Sequence, residues 1–124
     1  MLSGGQISFN GNYPFAGGDK GQYLERTSRC GSFPQAVNNF GLWDMHGNVS
    51  EWCEDYYSPA FYSNSKNPDP VCDKEDPKFK GCRVLRGGYF DSSGSSCRAA
   101  SRDWGYAGSH YSNDGFRVCG VRTP

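Results

Sequence analysis

The side chains best suited to chemistry crowd between Arg86-Gly87-Gly88-Tyr89 and Gly115-Phe116-Arg117-Val118. Residues 89–96 read Tyr-Phe-Asp-Ser-Ser-Gly-Ser-Ser, and residues 103–114 read Asp-Trp-Gly-Tyr-Ala-Gly-Ser-His-Tyr-Ser-Asn-Asp. From Gly87 to Pro124 there is no Lys, Glu, Gln or Met, although all four occur upstream. The chemistry of such a set is non-covalent recognition. Tyr supplies flat contact area at low entropic cost, and small polar residues supply adaptable hydrogen bonds. Residues 89–114 therefore read as a binding surface displayed on a scaffold. The contact residues expected are Tyr89, Phe90, Asp91, Ser93, Ser95, Asp103, Trp104, Tyr106, Ser109, His110, Tyr111 and Asn113. For Tyr89 and Phe90 a role in closing the core competes, most strongly for Tyr89, which directly follows Gly88.

Six cysteines stand at 30, 53, 72, 82, 97 and 119, and their spacings match no zinc pattern of close pairs. Two uses compete. One is a set of disulfides in an oxidised, extracytoplasmic protein, with Cys72 and Cys82 the local pair and Cys53 and Cys97 a second candidate. The other is reduced thiols serving as small core hydrophobes. Arg86, Arg98, Arg102 and Arg117 have Asp44, Glu51 and Asp55 as candidate partners. Such pairs can fix loops where strands are scarce.

These residues need a framework. Gln6–Phe15 alternates apolar and polar residues as a strand does, and Cys30–Pro34 reads as a short strand stopped by proline. Asn38-Asn39 signals a turn. Asn48–Tyr57 fits both periods. Val49, Trp52, Cys53 and Tyr56 share a helical face with Asn48 and Glu51 as cap and N3 partner, yet the same residues alternate acceptably for a strand. Residues 58–81 carry Pro59, Pro68, Pro70 and Pro77 and read as a long surface loop. Arg83–Arg86 starts a strand, Gly87-Gly88 bends it, and Phe116–Val121 is expected as the last strand. Trp43 and Trp52 are expected in the core.

The 124 residues suffice for a single domain over 1–124. Thirteen basic and thirteen acidic residues cancel, which gives no field for nucleic acid or an anionic membrane. No apolar run approaches a membrane span, so no membrane insertion is expected. Met1–Gly5 has no signal-peptide apolar region, and the start reads as a processed or truncated end. Aromatics at 15 % and seventeen glycines, with few aliphatics, point to an aromatic core with close backbone packing. The expected class is α+β, irregular and loop-rich, with short antiparallel strands and few helices.

Four ordered motifs carry a resemblance. They are Gly41-Leu42-Trp43-Asp44-Met45-His46-Gly47-Asn48-Val49-Ser50-Glu51-Trp52-Cys53, Arg83-Val84-Leu85-Arg86-Gly87-Gly88, Cys97-Arg98-Ala99-Ala100-Ser101-Arg102 and Gly115-Phe116-Arg117-Val118. Together they resemble the formylglycine-generating enzyme (sulfatase-modifying factor) family. The resemblance implies a C-type-lectin-like fold, a strand over Asn48–Cys53, and a match to the C-terminal half to two-thirds of a family domain. It also implies a two-cysteine copper site of spacing C-x4-C after the Gly-Gly pair, and here the chain departs. Cys97 is the sole cysteine between Cys82 and Cys119, so no copper is expected, because a lone thiol cannot make a two-thiolate Cu(I) site. His46 and His110 are too few for the histidine-iron site of the related sulfoxide synthases.

A second group on this fold, the variable proteins of diversity-generating retroelements, shares the Arg-Gly-Gly, Cys-Arg and Gly-Phe-Arg scaffold. In these, mutated adenines reach Tyr, Phe, Asp, Ser, Gly, Ala, His and Asn but not Lys, Glu, Gln, Met or Trp. Residues 89–96 obey that rule, and 103–114 obey it except at Trp104, which must then be fixed. The resemblance thus implies a diversified receptor or adhesin whose partner is a protein or a surface glycan, sited outside the cytoplasm or on a phage or cell surface. The alternative is a formylglycine-generating enzyme, or a degenerate relative, acting on a peptide cysteine. Asn48 and Glu51 match a Ca²⁺-binding motif of the enzymes, with a competing structural role in which Asn48 holds a turn and Glu51 pairs with an arginine. Asn48-Val49-Ser50 is also a glycosylation sequon in an apolar, buried-looking motif.

Overall fold

In the computed structural model, which describes residues 7–66 and 70–120, the fold is α+β and loop-rich. Four strands, β1 (Ser50–Tyr56), β2 (Cys82–Arg86), β3 (Asp103–Tyr106) and β4 (Asp114–Gly115), form one sheet in the order β3-β2-β1-β4. The pairs β1–β2 and β2–β3 are antiparallel, and β4 joins β1 in parallel. The described helical elements are one four-residue helix, α1 (Phe61–Asn64), and three 3-10 turns. Both α1 and the Pro77–Phe79 turn fall inside the expected 58–81 loop. The amide of Lys78 donates to Asp76 Oδ1 (2.9 Å) at the start of that turn.

Within Asn48–Tyr57 the strand option prevails over Ser50–Tyr56 because β2 lies alongside, while Asn48, at φ +69°, belongs to the turn before it. Trp52 faces Leu85 and Glu51 faces Arg86 in the ladder. The Trp52 ring reaches across the sheet over Gly105, where an added Cβ would come within 2.6 Å of it. Gly105 thus lets an aromatic cover the sheet where a larger residue would lift it off.

The N-terminal segment is not a strand, a correction with a clear cause. Ile7 and Phe9 are buried as their spacing requires, but the backbone divides its hydrogen bonds among three places. The Ser8 carbonyl accepts from Asn48 N (2.7 Å), Asn10 N donates to the Ser92 carbonyl (3.0 Å), and the Gly11 carbonyl accepts from Gly21 N (3.0 Å). No single neighbour can form a ladder. Cys30–Pro34 is likewise a turn, with Gly31 at φ +73° donating its amide to Asp44 Oδ2 (2.8 Å). The expected last strand over Phe116–Val121 is not formed among the described residues: β4 ends at Gly115, and residues 116–120 belong to no strand. Gln6, residues 67–69 and Val121 of those expectations lie outside the described residues.

Trp43 is 39 % exposed rather than in the core. The core centres on Ile7, Phe9 and Cys97, with Ala36 packed against them, and on Cys82, Val84 and Leu85 of β2. The six cysteines are free thiols. Cys72 and Cys82 do not pair; the thiols donate to the Lys74 and Lys80 carbonyls, respectively. Both side chains are buried, as is Cys97, so these three serve as small hydrophobes.

Candidate functional site

The expected contact residues divide into three groups. Tyr89, Phe90, Asp91, Ser93 and Ser95 follow the Gly87-Gly88 bend, where both glycines adopt positive φ. Tyr89 and Phe90 are half-buried and meet edge to face at 5.9 Å. Ser92 and Gly94, between them, are buried. Ser92 Oγ accepts from Tyr89 N (3.0 Å), and Gly94 N donates to the Tyr13 carbonyl (2.8 Å). A Cβ at Gly94 would sit 2.6 Å from Phe15 N. This loop is therefore clamped under the N-terminal segment, and only Asp91, Ser95 and Ser96 stand fully open. Ser93 is half-buried, its hydroxyl 2.7 Å from that of Ser95.

Asp91 is exposed but already partnered. It accepts from Asn10 Nδ2 (3.2 Å) and from the Tyr23 hydroxyl. The hydrogen bond to the Asp91 carboxylate pushes the Tyr23 phenol up from 10.0 to about 12. A group whose folded-state pKa is raised contributes stability fully below its unfolded pKa and loses it as pH climbs through the folded value. Denaturant melts of the parent and Tyr23→Phe should therefore differ by a constant amount below pH 10, and the gap should close between pH 10 and 12. A gap that widens over that interval would contradict the contact.

The second group, Asp103, Trp104 and Tyr106, lies on the edge strand β3. Trp104 faces Val84 and Tyr106 faces Cys82, so both aromatics rise from one side of the sheet over buried neighbours. Trp104 is held by Phe79 (5.6 Å), Tyr57 (6.2 Å) and Tyr106 (5.8 Å), and Phe79 in turn packs on Tyr57 (4.9 Å). Even so, Trp104 remains 39 % exposed and Tyr106 58 %. Arg102 braces the cluster, its guanidinium lying over Tyr57 and Tyr62 and donating to the Ser58 carbonyl (2.8 Å). Phe79, Tyr57 and Arg102 were not expected as parts of the site. Pro77-Lys78-Phe79 reads as surface loop, and the spatial meeting with β3 has no local signal.

The third group follows on the loop returning the chain from the β3 edge to the β4 edge. Tyr111 is 67 % exposed, His110 is exposed, and Ser109 and Asn113 are half-buried. Ser109 N donates to the Tyr106 carbonyl (2.8 Å), and the Asn113 carbonyl accepts from Ser50 N (2.8 Å), so both loop ends are pinned to the sheet. A cavity of about 110 Å³ joins the first and second groups, lined by Tyr89, Ser92, Ser96, Ser101 and Asp103 among others.

Asn48 and Glu51, the residues matching the Ca²⁺ motif, are both engaged by protein groups. Asn48 Oδ1 accepts from Ser28 N (2.8 Å), and both Glu51 oxygens accept from Arg117, whose Nε lies 2.6 Å away. The guanidinium supplies the positive charge that a cation would bring. No group of three or more His, Cys, Asp or Glu suited to a metal occurs among the described residues. Asn48 is also buried, closed to glycosylation in this fold. Arg117–Glu51 is the ion pair among the described residues. Arg86 and Arg98 instead hold the carbonyls of Ala99 and Ser95. Asp44 and Asp55 accept the amides of Gly31 and Cys72.

The family model for the sulfatase-modifying factor enzyme 1-like domain matches residues 6–122. The chain is 41 % identical over 83 residues to the formylglycine-generating enzyme of Streptomyces coelicolor, covering 64 % of this chain and 25 % of that protein. It is 38 % identical over 102 residues to the serine/threonine-protein kinase pkn1 of Chlamydia caviae, covering 80 % of this chain and 16 % of that one. The chain thus spans a quarter or less of these curated relatives. Treponema denticola variable protein 1 superposes with a TM-score of 0.55 at 30 % identity, over 85 % of this chain and 34 % of that one. PvdO from Pseudomonas aeruginosa superposes at 0.64 with 22 % identity, over 94 % and 50 %.

Proposed function

Since the chain belongs to the sulfatase-modifying factor enzyme 1-like domain family and carries its C-type-lectin-like scaffold, we propose that it is a ligand-binding module presenting residues 103–113 to a protein or surface glycan. The observation that carries this reading is the β3 edge. Trp104 and Tyr106 stay open to solvent there although three further aromatic or cationic side chains hold them in place. A preorganised aromatic face binds without the cost of ordering it first. The likeness to a variable protein supports the same reading, with Tyr106, Ser109, His110 and Tyr111 as changeable contacts and Trp104 as the constant one. A screen of the intact protein against a glycan array and displayed protein fragments tests it. At least one ligand should be lost in Tyr106→Ala or Tyr111→Ala. Ligands that bind these variants and the parent equally would contradict it.

A second reading, a formylglycine-generating enzyme or degenerate relative acting on a peptide cysteine, has the 41 % identity in its favour. The state of Cys97 counts against it. The thiol is 0 % exposed, and burial pushes its pKa up to about 11, whereas a nucleophile or Cu(I) ligand needs an accessible thiolate. Its backbone is also tied down, the Cys97 carbonyl accepting from His46 Nδ1 (2.6 Å). Thiol labelling of the folded protein at neutral pH should modify the exposed Cys30 and Cys119 first, and Cys97 only as the protein unfolds. Labelling of Cys97 as fast as Cys30 would restore the enzymatic reading.

A further inference from the structure

The cavity of about 110 Å³ carries hydrogen-bond donors that have no acceptor. It lies where β1 begins, β2 ends and β3 begins, with Ser50, Arg86 and Asp103 from those strands on its wall. Ser50 is 6 % exposed and Ser92 8 %. The Ser50 hydroxyl makes no hydrogen bond to a described residue. Ser92 Oγ accepts from Tyr89 N (3.0 Å) and donates to no described residue. Ser101, half-buried on the same wall, has a hydroxyl unpartnered in the same sense. Polar groups removed from water and left without a partner are costly, so this wall calls for acceptors. Arg86 and Arg102 share it. They hold the Ala99 and Ser58 carbonyls, but neither meets a carboxylate in an ion pair among the described residues. Arg102 Nε is buried with no acceptor. Asp103, the remaining charge on the wall, has one oxygen taken by Trp104 N (2.8 Å).

We infer that this cavity receives a carboxylate group, either as a free small acid or as the acidic end of a ligand bound at the β3 face; only the second source rests on the function proposed above. Water brings donors and acceptors in equal number. A carboxylate brings acceptors alone, together with a charge that the guanidiniums offset. Two arginines against one Asp103 leave a single net positive charge, which suits a monoanion better than a phosphate or sulfate dianion. The volume is several times the 10–15 Å³ or so that one water needs, so a small organic head group fits. Ser96 and Asp103 on the wall are exposed and open it to solvent. Asp103 is also the first residue of β3, so this opening adjoins the edge that carries Trp104 and Tyr106.

Acetate is the probe. In an NMR titration of the intact chain at neutral pH, with ionic strength held constant by sodium chloride, the amides of Gly88, Ser92 and Ser101 should shift along one saturating curve. Phosphate and sulfate should bind more weakly. Ser50→Ala and Ser101→Ala should each weaken acetate by about tenfold, the worth of one hydrogen bond to a charged group. Ser101 is only half-buried, so its variant reads the site even where Ser50→Ala disturbs folding. Shifts that follow chloride as closely as acetate, tighter binding of phosphate than of acetate, or an acetate affinity indifferent to Ser101→Ala would each overturn the inference. Acetate binding needs no occupant on the β3 face, so its failure leaves that face untouched, and an empty ligand screen leaves the cavity untouched. Acetate that competes with a ligand captured in the screen assigns the carboxylate to that ligand, whereas independent binding assigns it to a free acid.

Discussion

Gly47→Ala should leave little or no folded protein. Gly47 sits at φ +84°, where a side chain alone costs about 1–2 kcal/mol. The larger cost is contact. The new Cβ would lie 2.0 Å from the Ser8 carbonyl oxygen and 2.9 Å from its carbon, and both are backbone atoms that no rotamer change can move. That oxygen accepts from Asn48 N (2.7 Å), and Gly47 N donates to the Gly87 carbonyl (2.8 Å). Relief therefore means parting the N-terminal segment from the turn that starts β1 and from the bend that ends β2. We expect a loss above about 4 kcal/mol, a large share of the roughly 5–15 kcal/mol that holds a domain. Thermal melts followed by circular dichroism would show it, and a variant melting within a few degrees of the parent would contradict the packing described. Gly88→Ala should cost less. At Gly88 (φ +69°) a Cβ would meet the buried Cys97 thiol at 2.8 Å and the Cys97 Cα and N at 3.2 and 3.3 Å, a milder overlap than the 2.0 Å contact with backbone at Gly47.

The second large effect falls on binding. Trp104→Ala should weaken any ligand of the β3 face by about 2 kcal/mol or more, close to thirtyfold. The ring is large, fixed by Phe79 and Tyr57, and open on its remaining side. The same truncation removes packing, so a fall in melting temperature will accompany it. Two companion variants separate the effects. Tyr106→Ala, at a position 58 % exposed, should lose binding with little change in melting temperature. Phe79→Leu should lower the melting temperature with a smaller loss of binding, since Phe79 supports the ring. Binding unchanged by Trp104→Ala would remove the face from the account.

What was legible in the chain follows from how local each signal is. The Gly-Gly bend after β2 could be read because consecutive positive φ values need glycine there. The turn at Asn38 could be read because its own side chain holds it, accepting from Phe40 N and Leu42 N. Ile7 and Phe9 were legible as buried but not as irregular, because alternation records burial and not which segment takes the backbone hydrogen bonds. Phe116 and Val118 show strand alternation where no described strand lies beside them. Trp43 has the size and apolar character of a core residue, yet its ring lies beside Gly31 and lines an exposed groove. The aromatic support of Trp104 was illegible for another reason. Tyr57, Phe79 and Trp104 come from three separated segments, and nothing in any one of them announces the meeting.

The loop clamped at Ser92 and Gly94 sharpens the central claim, which is that a stiff framework holds out a changeable face. The most direct measurement is the sequence of this gene from several isolates. Changes should concentrate at Tyr106, Ser109, His110, Tyr111 and their exposed neighbours, extending to Asp91 and Ser95. Trp104, Gly47, Gly88, Ser92 and Gly94 should stay constant. Differences scattered evenly along the chain, or found at the clamped positions as often as at the open ones, would contradict it.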